Sequence, residues 1–274
     1  MQISLVIPTF GRYTEVEELL ESLNVQDYDH NDFEVIVVDQ NDKIDLRPII
    51  EKFTGSLNII YYKTDVKGIA SAKNKGIELA KAPIITFPDD DCKYFPDTVS
   101  AALNYFALNP NVDVVYGKIF DRETNKNVMR NWSDKFIKLN LMNFSLNYSA
   151  ITCFTKLTIR FDENFGVGSK ISSGEELDYI IRAINQKCEV VYSPEIQVWH
   201  PEVNVKTMHP DKVYNYGYGY GAILRKNSNP KLFLIFMLSL GYQMARLLLN
   251  IFSKNRLKFF LTIKGRIKGF YNLK

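Results

Sequence analysis

The chain has 274 residues, 46% hydrophobic and 24% charged, which describes one large globular domain or one domain plus an appendage and excludes a disordered or collagen-like protein. Three cysteines, Cys92, Cys153 and Cys188, cannot build a disulfide framework and fit no zinc spacing, so a reduced, intracellular chain is expected. The net charge of +3 hides an asymmetry: twelve of the 34 Lys and Arg lie in 212–274, which has no Asp or Glu, leaving 22 bases against 31 acids in residues 1–211.

Met1-Gln2 leads straight into the apolar run Ile3–Ile7, with no basic region and no small-residue cleavage site. No signal peptide is expected, and the run reads as the first strand of a cytoplasmic body. Thr14 with Glu17 three residues on reads as a capping box. Val16, Leu19, Leu20 and Leu23 then give one apolar helix face. Further strands are expected at 34–38, 58–62, 84–87 and 112–116, with helices over 70–80 and 98–108. Strands that are apolar throughout and separated by helices predict a mostly parallel sheet covered on both faces. From 117 to 150 the pattern weakens, and 147–154 is a candidate strand. A helix over 175–186 carries Leu177, Ile180, Ile181 and Ile184 on one face, and short strands follow at 190–192 and 196–199. Tyr216–Gly221 alternates tyrosine and glycine, which suits a flap, a stacking platform or a tight packing loop.

Leu232–Phe252 is a run of 21 mostly apolar residues, interrupted by Gln243, Arg246 and Asn250 and flanked by Lys231, Lys254, Arg256 and Lys258. It is long enough to span a bilayer. An Arg at the centre of a lone spanning helix costs about 2.5 to 3.5 kcal/mol. A helix or helix pair lying in the membrane interface is therefore preferred over a span, and over a helix buried on the body.

In an open parallel sheet, ligands sit beyond the carboxyl ends of the strands. There the sequence places Pro8-Thr9-Phe10-Gly11-Arg12, then Asp39-Gln40-Asn41-Asp42, then Pro88-Asp89-Asp90-Asp91. Three adjacent carboxylates repel one another unless they are solvated or share a hard cation. Mg²⁺ or Mn²⁺ takes one or two carboxylates and fills its shell with substrate phosphates, so a diphosphate ligand is expected. Lys67–Asn74 opens a helix, whose N-terminal N–H groups and Lys73 suit phosphate, although Lys73 alone reads as a solvated helix residue. Gly174-Glu175-Glu176-Leu177-Asp178 is a second acidic group. It is either a favourable helix start or the source of a general base. His200 is a structural histidine or part of a metal shell.

Read together, these pieces resemble the family 2 glycosyltransferases of GT-A fold. They run in order as Val6–Phe10 with Arg12, Val37–Asp39, Gly68–Asn74, Phe87–Asp91, Phe161–Glu163 with Phe165-Gly166, Gly174–Asp178 and His200. The resemblance covers about residues 3–201. It implies a Rossmann-like, mostly parallel sheet flanked by helices, with a catalytic domain over 1–211 and a basic helical extension over 212–274. The nucleotide-sugar half would be about 1–116 and the acceptor half about 117–211. It also implies roles. Pro8, Thr9, Arg12, Asp39, Lys73, Asp89 and Asp90 would bind the nucleotide sugar, with Thr9 and Asp39 at base and ribose. Lys73 stands where the family usually has Arg. Asp91 would hold Mn²⁺ or Mg²⁺ with His200. Glu176 falls where the family's Glu-Asp pair has its catalytic Asp, so the base is Glu176 or, given the extra methylene, Glu175. Asp178 would support the helix start.

The implied reaction is inverting transfer from a nucleotide-diphosphate sugar to an acceptor hydroxyl. No Gln-x-x-Arg-Trp motif of processive members is present, so one sugar per encounter is expected. A lipid-linked or glycan acceptor at the cytoplasmic membrane face is expected, with the tail on an anionic membrane surface and no nucleic-acid partner. A sugar nucleotidyltransferase and a catalytically decayed nucleotide-sugar-binding protein are the alternatives.

Overall fold

A computed structural model describes residues 1–202, 208–253 and 255–273. Of the basic tail residues counted above, Lys254 and Lys274 lie outside the described residues. Strand β1 spans Ile3–Thr9 and helix α1 Thr14–Asn24. Strand β2 (Phe33–Asp39), helix α2 (Arg47–Phe53), strand β3 (Ile59–Lys63), helix α3 (Ile69–Leu79) and strand β4 (Ile84–Thr86) follow. Then come β5 (Lys93–Tyr94), α4 (Thr98–Leu108), β6 (Val114–Asp121), β7 (Lys126–Asn127), β8 (Ile137–Lys138) and β9 (Cys153–Thr155). The chain continues through α5 (Glu175–Asn185), β10 (Val190–Trp199), α6 (Pro210–Lys226), α7 (Pro230–Leu249) and α8 (Arg256–Asn272).

Every residue of β1 and β2 is buried, because both faces of the sheet carry apolar side chains that helices cover. The sheet order is β3-β2-β1-β4-β9-β6-β10-β5, with β7 beside β6 and β8 beside β10. Strands β3, β2, β1 and β4 run parallel; β9 lies antiparallel between β4 and β6, and β6 pairs parallel with β10. Chain order reverses between β1 and β4, so a crevice opens at their carboxyl ends. Two glycine positions hold α3 in place. Gly68 takes φ 118° at its start, and a Cβ at Gly76 would run into Val6 of β1.

Several local expectations are corrected. Thr14 is the first helical residue of α1, and Tyr13 precedes it without a side-chain cap. Glu17 instead pairs with Lys52 at 2.8 Å. The candidate strand 147–154 is a 3₁₀ turn, Ala150–Thr152, leading into the short β9. The strands expected at 190–192 and 196–199 are one strand, β10, with a register shift between Tyr192 and Gln197 against β6.

Two compact units emerge: residues 1–160 with 183–202, and residues 161–182 with 203–274. They do not follow the expected division at 211, because the segment 161–182 packs with the C-terminal helices. The first unit holds the sheet. In the second, the Tyr/Gly run is neither loop nor flap but the middle of α6. A Cβ at Gly217 or Gly221 would meet the backbone of α8, and one at Gly265 or Gly269 would meet the backbone of α6. Paired glycines four residues apart on each helix thus let the two backbones touch. Helix α7 starts at Pro230 beneath the Asn229 cap, whose side chain accepts from Leu232 N at 3.0 Å. It buries only Leu232, Phe236 and Gln243 and leaves Phe233, Leu234, Met237, Leu238, Leu248 and Leu249 exposed. The buried-core reading of this helix is therefore not met.

Candidate active site

The acidic triplet follows β4 at the crevice. Strand β5 comes next and pairs antiparallel with β10, Tyr94 opposite Val198 and Lys93 opposite Trp199. Continuing that register sets His200 beside the triplet. One ligand atom each from Asp89, Asp91 and His200 lies within 4.8 Å of the others. His200 Nε2 is 3.2 Å from Asp91 Oδ1 and its Nδ1 is 2.7 Å from the carbonyl of Pro201. A carbonyl can only accept, so Nδ1 carries a proton. Nε2 is then free to donate to Asp91 when charged, or to offer a lone pair to a metal when neutral.

Arg12 closes the cluster. Its guanidinium is 2.7 Å from Asp91 Oδ2, 3.8 Å from Asp90 and 2.6 Å from Glu15. Burial raises Asp90 to about 6, helped by the Asp91 charge and opposed by Arg12. Asp91 is lowered, chiefly by its hydrogen bond with His200, against burial and with help from the His200 and Arg12 charges. Burial disfavours the charged His200, but the hydrogen bond and charge of Asp91 outweigh it and the net shift is upward. Two carboxylates and an imidazole, part-buried and convergent, fit a hard divalent cation such as Mn²⁺ or Mg²⁺.

The sign of the His200 shift makes a prediction. A raised histidine keeps its ion pair with Asp91 at low pH and loses it as pH rises through the folded pKa. A cation taken up through Nε2 would therefore compete with the proton. Calorimetry at about pH 7 should show a buffer-dependent heat as Mn²⁺ binds, from a released proton. His200→Gln should lose most of it; an unchanged heat would remove His200 from the shell.

Asp39 ends β2, opposite Thr9 of β1, and is fully buried. Asn41 donates to one of its oxygens from N (2.7 Å) and from Nδ2 (2.8 Å). Tyr61 (2.6 Å) and Lys63 (2.9 Å) donate to the other. Burial, then the Asp39 bond, pushes the Tyr61 phenol up. Asn41 in turn accepts from Gly11 N at 2.5 Å, which ties the loops after β1 and β2 together. Tyr61 and Lys63 are partners of Asp39 that the sequence reading missed, whereas Asn41 belongs to the polar cluster it placed at this edge. The signal for Lys63 is its register opposite Asp39 on β3. Pro8 and Thr9 are buried at the end of β1. Lys73 is fully buried in α3, which corrects its reading as a solvated helix residue.

Glu175 and Glu176 open α5 in the second unit, after Gly174 turns the chain at φ 103°. Glu175 is 6% exposed, whereas Glu176 is half-buried. Asp178 is buried and accepts from Arg182 (2.7 Å), Lys226 (2.9 Å) and Asn227 (2.8 Å). It thus clamps α5 to the end of α6.

The sequence model described as Glycosyl transferase family 2 matches residues 4–166, more than half of the chain. The chain belongs to glycosyl transferase family 2. It is 32% identical over 115 residues to a protein of Haemophilus influenzae named an uncharacterized glycosyltransferase, covering 42% of this chain and 37% of that one. The chain thus spans well under two thirds of that relative's length. Among solved structures, residues 1–349 of S. aureus TarS in complex with UDP-GlcNAc align with a TM-score of 0.66 and 17% identity, over 98% of this chain and 81% of that one. Mannosyltransferase PcManGT from Pyrobaculum calidifontis, in complex with GDP-Man and Mn²⁺, aligns at 0.68 and 14% identity, over 100% and 88%. At these identities the family 2 chain shares their GT-A fold.

Proposed function

We propose that this family 2 protein transfers a glycosyl group, with inversion, from a nucleoside-diphosphate sugar to an acceptor hydroxyl on a lipid-linked glycan. The observation that carries the reading is the meeting of Asp89, Asp91 and His200 at the sheet crevice. Support comes also from the nucleotide sugars in the complexes of TarS and PcManGT. Pro8, Thr9 and the Asp39 cluster hold the base and ribose, and Asp89 and Asp90 complete that wall. Lys73 neutralises the diphosphate end. Asp91 and His200 hold Mn²⁺ or Mg²⁺. A bound divalent cation supplies Lewis-acid stabilisation of the charge developing on the departing diphosphate. Arg12 holds Asp91 and Asp90 in place. Glu176, the more exposed of the pair, takes the proton of the attacking hydroxyl, and single displacement inverts the anomeric carbon.

The exposed apolar side of α7, with exposed Lys231, Arg246 and Arg256 around it, supports a seat on the anionic cytoplasmic face of the membrane. Donor binding is tested by thermal unfolding with UDP or GDP, with and without Mn²⁺. With the metal, one of them at a hundredfold excess over Kd should raise Tm by roughly 5 °C. No shift from either would end the proposal.

A further inference from the structure

The second unit contains a cleft of about 620 Å³ between the segment 162–172, α6 and the end of α8. Small-molecule sites run from about 300 to 1,000 Å³. Tyr214 and Tyr218, one turn apart on α6, are half-buried in its wall, with ring centroids 6.2 Å apart and planes tilted by 43°. Asn164, Lys170, Ser172 and Asn215 add amide, ammonium and hydroxyl groups. Charge in the wall is nearly balanced, because Lys226 is held by Asp162 at 2.7 Å and Asp178 at 2.9 Å.

Rings beside neutral donors and acceptors suit one chemistry well. A pyranose lays its C–H face on an aromatic ring, and its hydroxyls both donate and accept. A free phosphate or a nucleotide would need surplus positive charge, and a purely apolar ligand would leave the amides unpaired. Ser172 precedes Glu175 by three residues and Glu176 by four. At 3.3–3.6 Å per extended residue, the Cα of Ser172 lies within about 15 Å of the Cα of either glutamate. Helix α6 also falls beyond residues 4–166, outside what the family model matches.

We propose that this cleft is an acceptor-side subsite holding a neutral pyranose ring against Tyr214 and Tyr218, an inference that rests on the glycosyl-transfer reading above. The test is saturation-transfer NMR on the full chain with N,N′-diacetylchitobiose, maltose and cellobiose, in saturating diamagnetic Mg²⁺ and the nucleoside diphosphate that stabilises the chain. Ring protons of at least one saccharide should receive saturation, and the nucleotide should not displace it. Tyr214→Ala should weaken that binding roughly five- to tenfold, whereas Tyr214→Phe should keep it. Lys170→Ala, at an exposed position that cannot unfold the chain, should weaken it too. No transfer to any of the three, displacement by the nucleotide, or binding unaltered in both Tyr214→Ala and Lys170→Ala would overturn the proposal. The nucleotide thermal shift, read on the same samples, separates the two failures. A lost saccharide signal with the shift intact sinks the cleft alone, and a missing shift sinks the transfer reading itself.

Discussion

Asp91→Ala should abolish the Mn²⁺-dependent thermal shift by nucleoside diphosphates and cut turnover by about 10³-fold. That is the several kcal/mol a Lewis acid contributes to a developing charge. Asp91 is the residue on which the cluster converges, touching both His200 and Arg12. It is only part-buried, so the fold should survive its loss. Glu176→Gln makes the complementary test. The amide keeps the shape of the carboxylate but cannot take a proton, so the nucleotide shift should remain while kcat falls by about 10²–10⁴-fold. If Glu175→Gln is the silent variant and Glu176→Gln turns over normally, the base is Glu175. If Asp91→Ala binds nucleotide with Mn²⁺ as the parent chain does, the cation does not sit at this cluster.

The second large effect concerns the C-terminal helices. Leu238 is 58% exposed, Leu249 85% and Phe252 99%. Leaving such side chains in water forfeits about 1.5–3 kcal/mol each relative to burial. Vesicles rich in phosphatidylglycerol should therefore bind the protein, and phosphatidylcholine vesicles should bind it less, since each basic residue near an anionic surface adds about 1 kcal/mol. The triple change Leu238→Asp, Leu249→Asp, Phe252→Asp should lower partitioning by more than about 100-fold without moving Tm, because none of the three lies in the core. If the triple variant still sediments with anionic vesicles like the parent, the apolar face is not the membrane contact.

The central strands were legible because a strand buried on both faces must be mostly apolar, as Leu5–Ile7 and Val35–Val38 are. Their carboxyl ends then located Asp39 and Asp89–Asp91 with no further information. Long-range pairing was not legible. Strand β5 is two residues long and has no pattern, yet its register with β10 is what brings His200 to Asp91. Ser193-Pro194-Glu195 reads as a break in the sequence, but the structure absorbs it as an irregularity in one strand. The Tyr/Gly run misled for a similar reason. Glycine in a helix interior costs about 1 kcal/mol relative to alanine, and that cost is offset by close approaches the sequence does not display: Gly217 and Gly221 face the glycines of α8 nearly 50 residues on, and Gly219 lies against Ser173. Lys73 carried no mark of its complete burial, because a lysine on a helix is ordinarily solvated.

The placement of His200 directly after the last strand has a consequence for biosynthesis. Asp89 and Asp91 leave the ribosome early, and more than a hundred residues pass before the imidazole that completes their set is made. A nascent chain that has exposed only its first half therefore presents the two carboxylates of this cluster without its imidazole. If the completed set takes a divalent cation, its loading would wait until synthesis has passed β10 and that strand has paired with β5.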